Sequence, residues 1–296
     1  MSAAKNCLVV GATGCVGGAV ARRLRELGCE VRALVRGDLE RPSVQSLSQT
    51  GVHVVAGDLC DTASIARACM DVDTVVCTVT AMPHASGDAL QRVDHEGVLA
   101  LIAAAEQAGV RRFVYTSFSG NIQAESPLER AKRACEARLA RSTMQSAVLR
   151  PSFFMQVWLG PHLGLEVRQG RARIYGDGLA PVSYVSADDV AAFAVAAATR
   201  AGELREVIDI GGPGPLSQLE AVATFERLSG RRFEREHVPM AALEAQHRSP
   251  DPLQKTFAAL MIACASGDLV PDAPGVALRY GVALTSLEDF ARQLLR

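Results

Sequence analysis

The sequence has no apolar run long enough to cross a membrane. Its longest clean stretches are VLALIAAA at 98–105 and VAAFAVAAA at 190–198, far below the ~20 residues a helical span needs. The opening MSAAKNCLVV carries one lysine and a short apolar run. It lacks a signal peptide's long apolar segment and small-residue cleavage site, so a cytoplasmic chain without a membrane partner is expected. No run of Lys or Arg exceeds two, and the net charge is −1; nucleic acid is therefore not the expected partner, because phosphate binding needs a basic stripe. The 8 cysteines stand at 7, 15, 29, 60, 69, 77, 135 and 264, with no pair at metal-knuckle spacing. The 6 histidines form no HxxxH or HxxE pair. A metal site is not expected, and Cys7, Cys69, Cys77, Cys135 and Cys264 read as reduced thiols in apolar surroundings.

What the sequence does contain is alternation. Short apolar runs at 7–10, 31–35, 52–56, 74–79, 113–116 and 147–149 are rich in valine, as parallel strands covered on both faces require. Helical stripes lie between them. Val16, Ala19, Val20, Leu24 and Leu27 share one face with Gly28 as the stop; 90–108 and 127–141 repeat the pattern. The expectation is a doubly wound α/β (Rossmann) parallel sheet over 1–150. Residues 151–296 are expected to form a smaller C-terminal α/β substrate-binding region: a helix near 153–167, short strands at 172–175 and 182–185, and helices at 187–199, 216–229 and 286–295. A strand at 206–210 is expected to return to the main sheet, and the molecule to be a monomer or homodimer.

Gly11-Ala12-Thr13-Gly14-Cys15-Val16-Gly17 follows the first strand and opens the first helix. Glycines there permit a tight turn, let a pyrophosphate reach the backbone at the helix N-terminus, and let helix and strand pack closely. Thr13, Cys15 and Val16 complete the loop, with Gly14 expected to be the point of closest phosphate approach. The second strand ends at Arg36, nineteen residues beyond Gly17, where an NAD site would place an acid. A guanidinium suits a 2′-phosphate, so NADPH is favoured over NADH. Phe153, Phe154 and Trp158 follow the sixth strand, at the edge where such sheets bind ligands. They suit an apolar or aromatic small-molecule substrate, with His84 as a candidate hydrogen-bonding partner.

GATGCVGGAVARRL, the strand ending ALVR, VVAGDLCD at 54–61, AGVRRFVYTSFSG at 108–120 and ERAKRACE at 129–136 together resemble the short-chain dehydrogenase/reductase superfamily. The similarity is to its atypical NmrA-like, isoflavone reductase-like branch. The resemblance implies that Asp58 and Leu59 contact adenine, that Cys77 and Thr78 line the cofactor cleft, and that Lys132 with a serine at 117 or 119 occupies the catalytic positions. It departs from the superfamily at the tyrosine four residues before the lysine, where Leu128 stands. Ser119, Leu179, Asp188 and Leu284 lie four residues beyond the chain's tyrosines, so no YxxxK exists. Lys132 has three readings: a holder of the nicotinamide ribose, an acid itself, or a solvated lysine beside Arg130, Arg133 and Arg138. The expected function is an NADPH-dependent oxidoreductase. An NADP(H)-sensing regulatory protein without turnover, or an isomerase, dehydratase or cyclase on this fold, are the alternatives.

Overall fold

The structure is a computed structural model, and it describes residues 6–82 and 88–296. In chain order the elements are β1 (Asn6–Val10), α1 (Cys15–Glu26), β2 (Glu30–Val35), α2 (Pro42–Gln49), β3 (His53–Ala56), α3 (Thr62–Cys69) and β4 (Thr74–Cys77). A π-helical segment, Leu90–Gly97, runs into α4 (Val98–Gln107), followed by β5 (Arg112–Thr116), α5 (Pro127–Ala140) and β6 (Gln145–Pro151). Then come α6 (Met155–Trp158), β7 (Leu165–Glu166), β8 (Arg171–Tyr175), α7 (Ala187–Thr199) and β9 (Arg205–Ile210). The chain closes with α8 (Gln218–Ser229), β10 (Glu234–Val238), α9 (Met240–His247), α10 (Pro252–Ser266), α11 (Ala273–Tyr280) and α12 (Leu287–Leu294).

The main sheet has seven strands in the order β3-β2-β1-β4-β5-β6-β9, with parallel register from β3 through β6. This is the expected doubly wound sheet. The order reverses between β1 and β4, which is where such sheets open a ligand crevice at their carboxyl ends. Strands β4 and β5 are buried throughout, which explains why valine rather than apolar/polar alternation marks them.

Two compact units interleave along the chain. The first comprises residues 1–117, 130–149 and 190–208. Its described core joins Leu8, Val10, Ile65, Val75, Leu101, Phe113, Cys135 and Leu139. The second comprises 118–129, 150–189 and 209–296, and packs around Phe153, Met155, Tyr184, Phe225 and Phe290. It carries a three-stranded sheet, β10-β8-β7, mixed in direction. Helix α8 opens on a capping box in which Ser217 and Glu220 bond each other's backbone.

Several expectations change here. The helix expected over 153–167 is broken: α6 ends at Trp158, a 3₁₀ turn spans Pro161–Leu163, and β7 follows. Gly160 and Pro161 interrupt the ladder that the aromatic run would otherwise continue. Val182 and Val185 make isolated bridges rather than a strand. The helix expected over 90–108 starts as a π-helix. Asp189, in the first turn of α7, accepts from the amide and hydroxyl of Thr285, both at 2.7 Å.

Arg112 is the one buried arginine among the described residues, 9% exposed. Its guanidinium donates to the carbonyls of Ala197, Ala198, Arg200 and Gly202 and to Gln145. It thereby satisfies the acceptors that the end of α7 leaves orphaned. Arg112→Met should lower unfolding free energy by about 3 kcal/mol, because several buried carbonyls lose a charged donor. Urea denaturation checks this, and a loss under ~0.5 kcal/mol would mean that water replaces the guanidinium without cost.

Candidate functional site

Between β1 and α1 the backbone folds on itself. Gly11 has φ +91°, and a Cβ there would stand 2.8 Å from Thr78 Oγ1. A Cβ on Gly17 would stand 2.3 Å from the Gly11 carbonyl oxygen and 2.6 Å from Thr78 Oγ1. The Gly14 amide donates to the same Gly11 carbonyl at 2.9 Å. Thr78, immediately after β4, closes the turn from the sheet side by donating to the Val10 carbonyl at 3.3 Å. Gly14 is less constrained: its φ is −86°, and a Cβ would meet only the Gly11 oxygen, at 3.3 Å. Thus Gly11 and Gly17, not Gly14, are the positions where the fold itself requires glycine. Thr13, Gly14 and Cys15 are exposed, Val16 is half-buried, and α1 has no side-chain cap. The helix N-terminus is therefore open to an anion through a gap lined by small residues.

Arg36 is exposed at the end of β2. Behind it Arg41, which sequence reasoning did not single out, donates to the carbonyls of Arg36 and Asp38 at 2.9 Å each. It holds the loop that presents Arg36 and adds a second positive charge. Asp58 is half-buried, and its carboxylate accepts from the Cys60 amide at 2.9 Å. Its backbone amide and carbonyl both engage Ser64, while Leu59 is buried in the first unit's core. Cys77 needs correction as a lining residue. Its side chain is fully buried in that core, and burial pushes its thiol up to about 12, whereas Thr78, next in the chain, is half-buried.

Lys132, on α5, is 4% exposed, which removes the solvated reading. Its Nζ donates to the carbonyl of Val79 at 3.1 Å and of Thr116 at 3.3 Å. It therefore ties the segment after β4 to the end of β5. Asp94, wholly buried in the π-helical segment, lies 3.7 Å away through Oδ1. This partner was missed, although Asp94 falls on the apolar stripe of Leu90, Val98 and Leu101, where a carboxylate is out of place. A tyrosine does stand beside the lysine in space: Nζ lies 5.2 Å over the Tyr115 ring. Its phenol is buried, and burial, then the neighbouring Cys135 and Cys77, push it well above its ordinary value. Tyr115 cannot stand in for the absent acid.

The two candidate serines lie in different units. Ser117 is buried and donates to Glu136 at 2.5 Å, and Arg133 holds the same carboxylate oxygen. Ser119 belongs to the second unit and donates to Asp268 at 2.7 Å; Asn121 and Ser152 also donate to that carboxylate. Both hydroxyls are thus engaged with a carboxylate. Phe153 is buried in the second unit's core, and Trp158 packs edge-on against it with centroids 4.6 Å apart. Phe154 and Trp158 are half-buried. His84 lies outside the described residues.

The NmrA-like family model matches residues 3–268, and the chain belongs to that family. It is 36% identical over 254 residues, 84% of each chain, to (4-alkanoyl-5-oxo-2,5-dihydrofuran-3-yl)methyl phosphate reductase of Streptomyces griseus. It is 30% identical over 237 residues, 80% of this chain and 71% of the other, to photosystem II assembly factor Ycf39 of Synechocystis. Among solved structures, an NADPH-dependent quinone oxidoreductase of Escherichia coli complexed with NADPH matches with a TM-score of 0.80. That alignment covers 98% of this chain and 100% of the other at 21% identity. The fold is shared; no helix among the described residues is long and apolar enough to cross a membrane.

The two glycines separate under substitution. Gly17→Ala should destabilise the protein by about 2 kcal/mol or more, because its new carbon meets backbone that cannot move aside. Gly14→Val should change stability by under ~1 kcal/mol, since its side chain projects into the open gap. Thermal unfolding of both variants checks this, and equal losses would contradict the geometry of the turn.

Proposed function

We propose that this NmrA-like protein is an NADPH-dependent reductase of a small, apolar or aromatic acceptor. The observation that carries the reading is the glycine turn. Gly11 and Gly17 leave no room for a side chain inside the turn, while the exposed backbone at 13–15 and the uncapped helix offer amides and a positive dipole end to a pyrophosphate. Arg36, on a loop fastened by Arg41, supplies the charge for a 2′-phosphate. Thr78, Val79 and Lys132 would flank the nicotinamide half. When bound, the nicotinamide supplies hydride to an electrophilic carbon of the acceptor.

The chain's own contribution is orientation and charge. Lys132 donates to two backbone carbonyls, so it fixes the crevice floor and places a positive charge beneath it. Tyr115, Ser117 and Ser119 are each buried or engaged, and the tyrosine position on α5 holds Leu128. A substrate whose reduced form is a stabilised anion needs no acid from the protein, because water can protonate it. Conjugated carbonyl compounds meet that requirement, and the Streptomyces relative and the Escherichia coli structure carry names for reductases of such compounds. The second reading is an NADP(H)-binding partner protein without turnover. It draws on the relative named as an assembly factor and on the missing acid.

Oxidation of NADPH against a panel of quinones, enones, unsaturated lactones and azo compounds tests the choice. Turnover of at least one conjugated acceptor supports the reductase; tight NADPH binding with no oxidation across the panel supports the partner protein. Arg36→Ala should weaken NADPH about tenfold and leave NADH nearly unchanged, since an exposed guanidinium is partly screened. Equal losses would remove Arg36 as the phosphate reader. Lys132→Met should weaken NADPH binding more than it slows turnover at saturating NADPH, whereas a fall in turnover of about 10² would make Lys132 the acid.

A further inference from the structure

A buried carboxylate lies under the crevice, and the proposed reaction gives it no work. Asp94 is 0% exposed. Its Oδ2 accepts from the Ala81 amide at 2.8 Å. Its Oδ1 has no hydrogen-bond partner among the described residues, and stands 3.7 Å from Lys132 Nζ. Leaving an ionised oxygen without a bond in a dry interior is unfavourable, so its position calls for a reason. The chain reaches it through a local departure from α-helical winding: Leu90–Gly97 is π-helical, a form that turns up where a side chain must be re-aimed at a functional site. Gly97 lets that segment lie against Leu59, whose Cβ would be 2.8 Å from a Cβ at 97.

We infer that Asp94 is a positioning residue of the nucleotide crevice. Its carboxylate holds the Lys132 ammonium by charge and the segment after β4 by the Ala81 amide, so that both are set before the nicotinamide half arrives. The inference rests on the nucleotide reading above. The contacts form a closed loop. Lys132 grips Val79, Asp94 grips Ala81 two residues on, and the two grips face each other as an ion pair. The gripped segment begins at Thr78, which closes the glycine turn on Val10, and against which a Cβ at Gly11 or Gly17 would collide. Displacing 79–81 would therefore disturb both the floor of the crevice and the wall of the phosphate loop. The Cys135 thiol, donating to the Asp94 carbonyl at 3.5 Å, adds a second tie between α5 and the π-helical segment.

Asp94→Asn separates the two grips, because an amide oxygen can still accept from Ala81 while the charge facing Lys132 is gone. NADPH affinity is measured by titration calorimetry for the wild type, Asp94→Asn, Lys132→Met and the double variant, with amide exchange of 79–82 followed in the nucleotide-free proteins. Asp94→Asn is expected to bind NADPH about tenfold more weakly, the size of coupling common between contacting charged groups. In the Lys132→Met background the same change should have no further effect, because its target is absent. If Asp94→Asn does not fold, the double variant compared with Lys132→Met alone still decides, and a further loss of affinity there overturns the inference. Exchange at 79–82 should quicken in Asp94→Asn ahead of the core strands; a merely structural carboxylate would raise exchange throughout the unit. Wild-type affinity in Asp94→Asn, or losses that add in the double variant, overturns the inference and leaves the nucleotide reading standing. A wild-type protein that binds no NADPH overturns both.

Discussion

The close approach of α1 to β1 is the constraint on which the rest of the first unit depends. It exists because neither Gly11 nor Gly17 has a side chain, so the Gly11 carbonyl can face the Gly14 amide and the Gly17 α-carbon together. Once helix and strand meet this closely, the helix N-terminus points out of the sheet's carboxyl edge, beside the place where strand order reverses. Thr78 closes the turn from the sheet side by its bond to the Val10 carbonyl. Two residues without side chains thus set the turn that leaves the α1 N-terminus exposed.

Lys132 supplies the second half of the arrangement from a different element. A buried ammonium is tolerated only where acceptors and a counter-charge surround it, and here they come from the segment after β4, from β5 and from the π-helical segment. The geometry makes the lysine a clamp on backbone first and a source of positive field second. This differs from a tyrosine–lysine pair, in which the lysine's charge acts on a phenol that hands over a proton. Leu128 lies four residues before Lys132, and Tyr115 is sealed in the core, so no exposed phenol stands beside this lysine among the described residues.

Much of this was legible in the sequence. Valine-rich runs at regular spacing identified the parallel strands because strands covered on both faces have no polar side to show. The glycine loop was legible because only a close backbone approach demands glycine at 11 and 17. Spacing alone does not say which glycine faces the turn and which faces solvent; Gly14 is the exposed one. The stretch after Ser152 read as helix from its aromatic and aliphatic content, and Gly160-Pro161 was given too little weight. β10, with the sequence EREHV and almost no buried face, offers no periodic signal at all. Ser117 and Ser119 appeared interchangeable in the sequence; Glu136 and Asp268, each distant in the chain, draw them into different units. Asp94 stands on the stripe of an amphipathic helix, so the sequence names no partner for it; the structure sets its carboxylate 3.7 Å from Lys132.

The opening beside the glycine turn is proposed to take a dinucleotide carrying a 2′-phosphate. Titration calorimetry of the wild-type protein with NADPH and, separately, with NADH tests it most directly. The account predicts one site per chain, with NADPH bound at least about tenfold more tightly than NADH, as a charge-assisted contact to a phosphate provides. Equal affinity for the two, or no binding of either, would contradict it.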